Sequence, residues 1–429
     1  MGISETLAEF ALAGCDAPDE VGAVAQLSLI DWMAVGIAGA GEPVADVLRT
    51  FAAEEGGAEQ ATLIGGGRAP ARMAALVNGT ISHALDYDDT HFAHIGHPSV
   101  GVIPAALAVA EHVGADGAAL QEAGLIGMEA SIRAGEWLGR SHYQVGFHQT
   151  ATAGAVGATV AAGRLMRLDF AQMRTALGLV ATRASGLKSQ FGTMAKPFNA
   201  GLSAANGVEA ALLARLGMEA RLEALEGPLG LGPTHHGEGN DAALAGLGEI
   251  WRFETVSHKF HACCHGLHAV LEAAATLDVT PNEIAAIRVE THPRWMSVCN
   301  QPAPQTGLGA KFSYATVLPM HFLGRDTARL ESYSDALCAE PDLVALRRRV
   351  AVSAAEDVGE GQARLEVELA SGAILRAFHD LDAPLPLEAR RAKIGAKAAS
   401  LLGLARAARV AALVEGQAAP AEIAAELGK

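Results

Sequence analysis

Seventeen consecutive residues, His83-Ala84-Leu85-Asp86-Tyr87-Asp88-Asp89-Thr90-His91-Phe92-Ala93-His94-Ile95-Gly96-His97-Pro98-Ser99, hold three carboxylates, four imidazoles, a phenol and two hydroxyls. The flanks are plain: an Ala/Val/Asn/Gly run before, and Val100-Gly101-Val102-Ile103-Pro104-Ala105-Ala106-Leu107 after. Titratable groups set between apolar segments cost desolvation energy unless they are paired or used. A surface loop is the bland explanation, an acid–base site the chemical one. Two lysines stand in comparable settings. Lys196 lies in Gly192-Thr193-Met194-Ala195-Lys196-Pro197-Phe198-Asn199-Ala200-Gly201, and Lys259 in Val256-Ser257-His258-Lys259-Phe260-His261-Ala262-Cys263-Cys264-His265-Gly266-Leu267-His268. Such lysines, if partly buried, bind carboxylates and stabilise an enolate-like dianion; the alternative is a solvated side chain. His148, in Val145-Gly146-Phe147-His148-Gln149-Thr150, is either a satisfied core residue or a proton carrier.

Metal and phosphate chemistry fit less well. His91-x-x-His94-x-x-His97 and Cys263-Cys264-His265 with His268 have ligand types but not the separated, converging pairs of zinc sites, nor an HExxH arrangement. The expectation is no metal, with histidines lining a cleft and thiols acting as small hydrophobes. Ile64-Gly65-Gly66-Gly67-Arg68 lacks the Lys-Ser/Thr of a phosphate loop and reads as a turn.

The elements around these residues are mainly helical. Apolar residues recur at three- and four-residue steps over 1–40, and Ala-rich helical patterns follow at 70–80, 100–113, 118–138, 150–165, 170–183 and 200–216. Near residue 253 the character changes. Ile287–Pro293, Arg348–Ser353, Ala363–Leu369 and Ala373–Phe378 read as strands, the last two as a hairpin turning at Gly372. Helices are expected over Lys311–Phe322 and Ser334–Arg348, and the pattern is helical again from Leu387. The expected architecture is mainly α with a smaller α+β domain: an all-helical domain from 1–252 and 385–429, and an α/β domain over 253–384.

At 429 residues with half of them hydrophobic, a large core can form. A net charge of −16 argues against nucleic acid, yet a local Lys/His cluster can still bind an anion. Five cysteines, two of them adjacent, are no disulfide framework. The first segment carries acids where a signal peptide carries bases, and no apolar run is expected to reach the roughly 18–20 residues of a membrane span. A cytoplasmic protein, without membrane partners, is expected.

Several ordered motifs together resemble the MmgE/PrpD family of 2-methylcitrate dehydratases, cis-aconitate decarboxylases and iminodisuccinate epimerases. They are Leu85-Asp86-Tyr87-Asp88-Asp89-Thr90 with Gly96-His97-Pro98-Ser99 and Pro104-Ala105-Ala106-Leu107, then Gly146-Phe147-His148, Thr193-Met194-Ala195-Lys196-Pro197, Glu226-Gly227-Pro228, the Lys259–His268 run and Lys311-Phe312-Ser313. The resemblance spans almost the whole chain. It implies a cofactor-free homodimer, a helical domain built from both chain ends, an inserted α/β lid domain and an active site in the cleft between them. Two positions depart from the family pattern. His265 stands where an Arg often follows the paired cysteines, and Thr316 stands where a Tyr is common, with Tyr314 nearby.

On this reading Lys196 and Lys259 bind carboxylate and stabilise charge, His97 and His148 transfer protons, and Asp86 orients a His or Lys. Thr90, His91, Cys264, His265 and His268 contact substrate, while Asp88 and Asp89 are left between helix capping and pairing with a lid residue. The expected reaction is dehydration of a small hydroxy di- or tricarboxylate by proton abstraction next to a carboxylate. Epimerisation, isomerisation or decarboxylation on the same scaffold, and a silent binding protein, are the alternatives.

Overall fold

Ala and Gly line the helix interfaces of the first part of the chain, and their size sets how closely its helices run. The computed structural model describes residues 2–429. Two units form, one from residues up to His258 together with Pro386–Lys429, the other from Lys259–Leu385.

The first unit contains α1 (Ile3–Leu12), α2 (Asp19–Gly39), α3 (Pro43–Glu55), α4 (Ala71–Ser82), α5 (Pro98–Val113), α6 (Gly117–Val145), α7 (Gln149–Leu165), α8 (Phe170–Arg183) and α9 (Ala195–Arg215). Each Ala-rich stretch singled out in the sequence falls on one of these helices to within a residue. Helices α4, α5, α7 and α9 pack against one another, with α6 against α7. A Cβ on Gly79 of α4 would stand 2.9 Å from the Gly201 Cα of α9, and one on Gly201 would strike the Leu76 carbonyl and Thr80 Oγ1. Such backbone contact is open only to glycine. The Gly65-Gly66-Gly67 run, all at positive φ, turns between the short strands β1 (Ala61–Thr62) and β2 (Arg68–Ala69).

The unit boundary lies at His258 rather than 252. Glu129 of α6 accepts the backbone N–H groups of Arg252 (3.1 Å) and Phe253 (2.8 Å), and Thr90 and Ser257 exchange backbone hydrogen bonds of 2.9 and 2.8 Å. These bonds hold 252–257 to the helical unit. The chain returns to that unit through the helices Leu387–Leu402, Leu404–Glu415 and Pro420–Leu427.

Helix α2 corrects one expectation. Over its 21 residues it is long and apolar enough to cross a membrane by length and composition, with a mean hydropathy of 1.6. In the structure 78% of that stretch is buried inside the protein, and Asp31 near its middle pairs with Lys397 of the Leu387–Leu402 helix. It is the core helix of this unit.

The second unit carries a sheet ordered β4 (Val350–Ala354), β3 (Ile284–Thr291), β5 (Gln362–Leu369), β6 (Ile374–Asp380). Strands β3 and β4 are parallel; β3/β5 and β5/β6 are antiparallel. Ile287, Val289, Leu365 and Val367 are buried, while Arg288 bridges Glu366 and Glu368 on the other face. The helix expected over Lys311–Phe322 starts only at Tyr314, because Ser313 is extended and caps it. The one expected over Ser334–Arg348 splits at Pro341, which holds Glu340 extended.

The close approach of α4 and α9 yields a direct test. Gly201→Ala should lower the stability of the helical unit by about 1–3 kcal/mol through overpacking. Gly22→Ala, where an added Cβ meets nothing within 4 Å, should leave it level or raise it by up to about 1 kcal/mol. Urea unfolding followed by circular dichroism would read both; equal effects would refute the packing argument.

Candidate active site

Three long helices of the first unit begin at the candidate residues. His97 is the N-cap of α5, His148 the N-cap of α7, and Lys196 lies in the first turn of α9. His83 closes α4 as its C-cap, so the loop from His83 to His97 runs between two helix ends. The starts are tied together. The His97 N–H donates to Thr150 Oγ1 (3.1 Å), and Asn199 Nδ2 of α9 donates to His148 Nδ1 (3.2 Å). Free N–H groups and positive helix ends therefore meet in one place, which favours an anion.

Asp88 is the centre of the loop. It is fully buried, and its two oxygens accept N–H from Nδ1 of His83 (2.8 Å) and Nδ1 of His97 (2.6 Å). Burial alone would push the Asp88 carboxyl up. The neighbouring His83 and His97, through charge and hydrogen bonds, outweigh this and hold it well below the usual carboxylate range. Asp88 is thus an anion at neutral pH. Burial, followed by the effects of Lys196 and His97, lowers His83 to about 4 despite Asp88, so that ring is neutral. With Nδ1–H committed to Asp88, the nitrogen of His97 left open is Nε2. It stands 3.6 Å from Asp86 Oδ1, and Lys196 Nζ lies 2.9 Å from the same oxygen.

His148 has the opposite tautomer. Asn199 donates to its Nδ1, which leaves the proton on Nε2. Burial, then Lys196, His83 and His97, keep it well below the usual imidazole value. It is a neutral N–H donor, with the Phe191 ring edge-on at 5.0 Å. One imidazole with an open Nε2 and one with an Nε2–H, beside a lysine, form a base, a hydrogen-bond donor and a cation.

Asp86, His97, His148 and Lys196 are thus brought together as the sequence suggested. Others are used differently. Both ring nitrogens of His91 are engaged: Nδ1 accepts the His94 N–H (3.2 Å), and Nε2 meets the Arg252 carbonyl (3.1 Å) and Thr255 Oγ1 (3.0 Å). His91 is therefore scaffold, which corrects the substrate-contact role given to it. Thr90 is pinned to Ser257 by the paired backbone bonds described above. Asp89 accepts the Ser99 N–H (3.2 Å) and hydroxyl (2.5 Å), so it caps α5. His83 and Asn199 were not singled out. Asn199 follows Lys196 by three residues on one helix, the spacing that puts both on one face.

One ligand atom from each of His83, Asp86, Asp88 and His97 lies within 4.8 Å of the others, so the residue types also suit a cation. Asp88, however, already uses both oxygens on its two histidines, and the Lys196 ammonium sits against Asp86.

In the second unit Lys259, His265 and His268 are buried, and Cys264 is half-buried. The His268 ring lies 5.1 Å from that of His261 and 4.9 Å from that of His265. Burial, then His265, His261 and Lys259, lower His268 well below its usual value. Burial pushes the Cys263 thiol up to about 12. Tyr314 does not replace the phenol that Thr316 lacks. Its hydroxyl donates to the Gly266 carbonyl (2.7 Å), lies 2.8 Å from Thr291 Oγ1, and is raised by burial.

Comparison with known proteins shows what the chain as a whole is similar to. The MmgE/PrpD N-terminal domain matches residues 5–242, and the MmgE/PrpD C-terminal domain matches residues 261–415. Cis-aconitate decarboxylase of Aspergillus terreus is 28% identical over 389 residues, covering 83% of this chain and 79% of that protein. The cis-aconitate decarboxylase of Homo sapiens is 31% identical over 170 residues, 38% of this chain and 35% of that protein. That of Mus musculus is 28% identical over 217 residues, 49% and 44%.

The buried histidines predict a pH response. His83 and His91 are lowered to about 4 and His94 to about 3, in each case first by burial. An unfolded histidine titrates near 6.5. From pH 6.5 down to about 4 the unfolded chain thus binds protons that the folded chain refuses, and stability falls as pH falls, by up to about 1.4 kcal/mol per pH unit per histidine. Asp89, raised to about 7 by burial, acts in the opposite sense, one group against three. Urea midpoints should drop between pH 7 and 5; a flat or rising midpoint would contradict these assignments. With both domain models matched, the chain belongs to the MmgE/PrpD family of enzymes.

Proposed function

We propose that this protein is a cofactor-independent lyase for a small di- or tricarboxylate, working by proton transfer next to a carboxylate. The observation that carries the proposal is the meeting of three helix N-termini at His97, His148 and Lys196, with Asp88 fixing which nitrogen of His97 carries the proton. A substrate carboxylate supplies the negative charge that these groups favour.

The relatives favour decarboxylation of a cis-aconitate-like acid as the first reading. The bond from carbon to the departing carboxylate breaks and CO2 leaves. Its electron pair passes through the adjacent double bond to a carbon that takes a proton from His97 in its imidazolium form. Solvent then reprotonates His97. Lys196 balances the charge that builds on the remaining carboxylate. Dehydration of a 2-methylcitrate-like hydroxy acid is the second reading, favoured by the opposite tautomers of the two imidazoles. His97 Nε2 would remove the proton beside the carboxylate and, as the imidazolium, hand it to the departing hydroxide to give water, while the neutral His148 Nε2–H hydrogen-bonds that hydroxyl. Lys259 keeps its expected part as a second carboxylate-binding cation.

Incubation in D2O with cis-aconitate, 2-methylcitrate, citrate and iminodisuccinate, read by mass spectrometry and NMR, tests the proposal. The first reading expects loss of CO2 with one deuterium gained; the second expects loss of water. His97→Ala and Lys196→Ala should each cut kcat/KM roughly a hundredfold or more. Lys259→Ala should raise KM. No turnover of any acid, or full turnover by both of the first two variants, would refute the proposal.

A further inference from the structure

Lys397 lies 310 residues from Tyr87, on the Leu387–Leu402 helix, and is 1% exposed. Its ammonium is 2.6 Å from Asp31 Oδ1 of α2, donates to the Tyr87 carbonyl at 2.6 Å, and stands 4.0 Å from the centre of the Tyr87 ring. Tyr87 is the residue between Asp86, which holds the Lys196 ammonium, and Asp88, which holds the two imidazoles. Asp86 itself has φ +51°, a left-handed conformation that a non-glycine residue keeps only when its surroundings enforce it. A buried ion pair is a poor source of stability, because desolvation offsets much of the attraction and an apolar pair of similar volume often does as well. What an apolar pair lacks is a donor for the Tyr87 carbonyl.

We propose that Lys397 is a positioning residue: from the far end of the chain it clamps the Tyr87 carbonyl and so fixes the spacing between Asp86 and Asp88. The proposal rests on the reading of Asp86, Asp88, His97 and Lys196 as the active site. It assigns a functional part to the C-terminal helices.

Two double variants separate the clamp from the ion pair. Asp31→Asn with Lys397→Gln removes both charges and keeps a donor for Tyr87. Asp31→Asn with Lys397→Met removes the charges and the donor together. If the Met variant does not fold, Asp31→Leu with Lys397→Met, apolar throughout, replaces it. Two readouts are taken on the full chain: the 15N spectrum of the histidine side chains, which needs no substrate, and kcat with KM on whichever acid the wild type turns over. The Gln variant should keep the wild-type imidazole signals of His83 and His97 and a kcat within about threefold. The Met variant should melt cooperatively, lose that signal pattern, and lose kcat by about tenfold to a hundredfold with little change in KM, the scale on which small misplacements act. A folded Met or Leu/Met variant with wild-type signals and kcat overturns the clamp. So does failure of both to fold while the Gln variant folds, since the role is then structural. If the wild type turns over no acid, the proposed function fails and the imidazole spectra still decide this one.

Discussion

Everything at this site depends on one buried carboxylate accepting two imidazole N–H groups. Asp88 has no exposure to water, and a lone ion there would be costly. It is retained as an ion because His83 and His97 each donate a proton to it. Its charge in turn decides which nitrogen of each ring is protonated. His83 never becomes the acid at neutral pH, because burial has already set it neutral. His97, part-exposed at 12%, is left as the ring that can exchange a proton. A hydrogen-bonded carboxylate orienting an imidazole is a general device for giving one nitrogen a defined role.

The helical scaffold supplies the second half of the chemistry. The chain has a net charge of −16, yet the site collects positive helix ends and Lys196. Over a few ångströms screening is weak, so these groups act locally whatever the net charge, with Asp86 and Asp88 offsetting part of their field. Close packing of α4, α5, α7 and α9 on glycine and alanine brings those ends within reach of one another. Small residues in the core and a polar site at the helix ends are therefore linked features of the same design.

The sequence made much of this readable. Three- and four-residue periodicity located the helices, and period-two alternation located β3 to β6. Asp86, His97, His148 and Lys196 stood out as ionisable groups among small residues, and they meet. The roles within the loop were not readable. Asp88 reaches back five residues to His83 and on nine to His97, through a loop with Asp86 and Ile95 both at positive φ. No periodicity encodes that path. His91 misled because its spacing to His94 and His97 shows ligand types but not burial, and its ring is spent on Arg252 and Thr255. Lys397 was hidden for a related reason. It sits in a helix rich in Arg and Lys, whose pattern suggests a solvated face, and only the folded chain shows it buried against Asp31.

The central claim is that Asp88 acts as an anion that sets the protonation of His97. Asp88→Asn keeps the shape of the side chain and removes its charge. Stopped-flow turnover of the identified acid by this variant, alongside the thermal shift that the same acid induces, is the most direct test. The account predicts a folded protein whose acid-induced shift stays near that of the wild type and whose kcat falls roughly a hundredfold or more. A folded Asp88→Asn enzyme with wild-type kcat would contradict it.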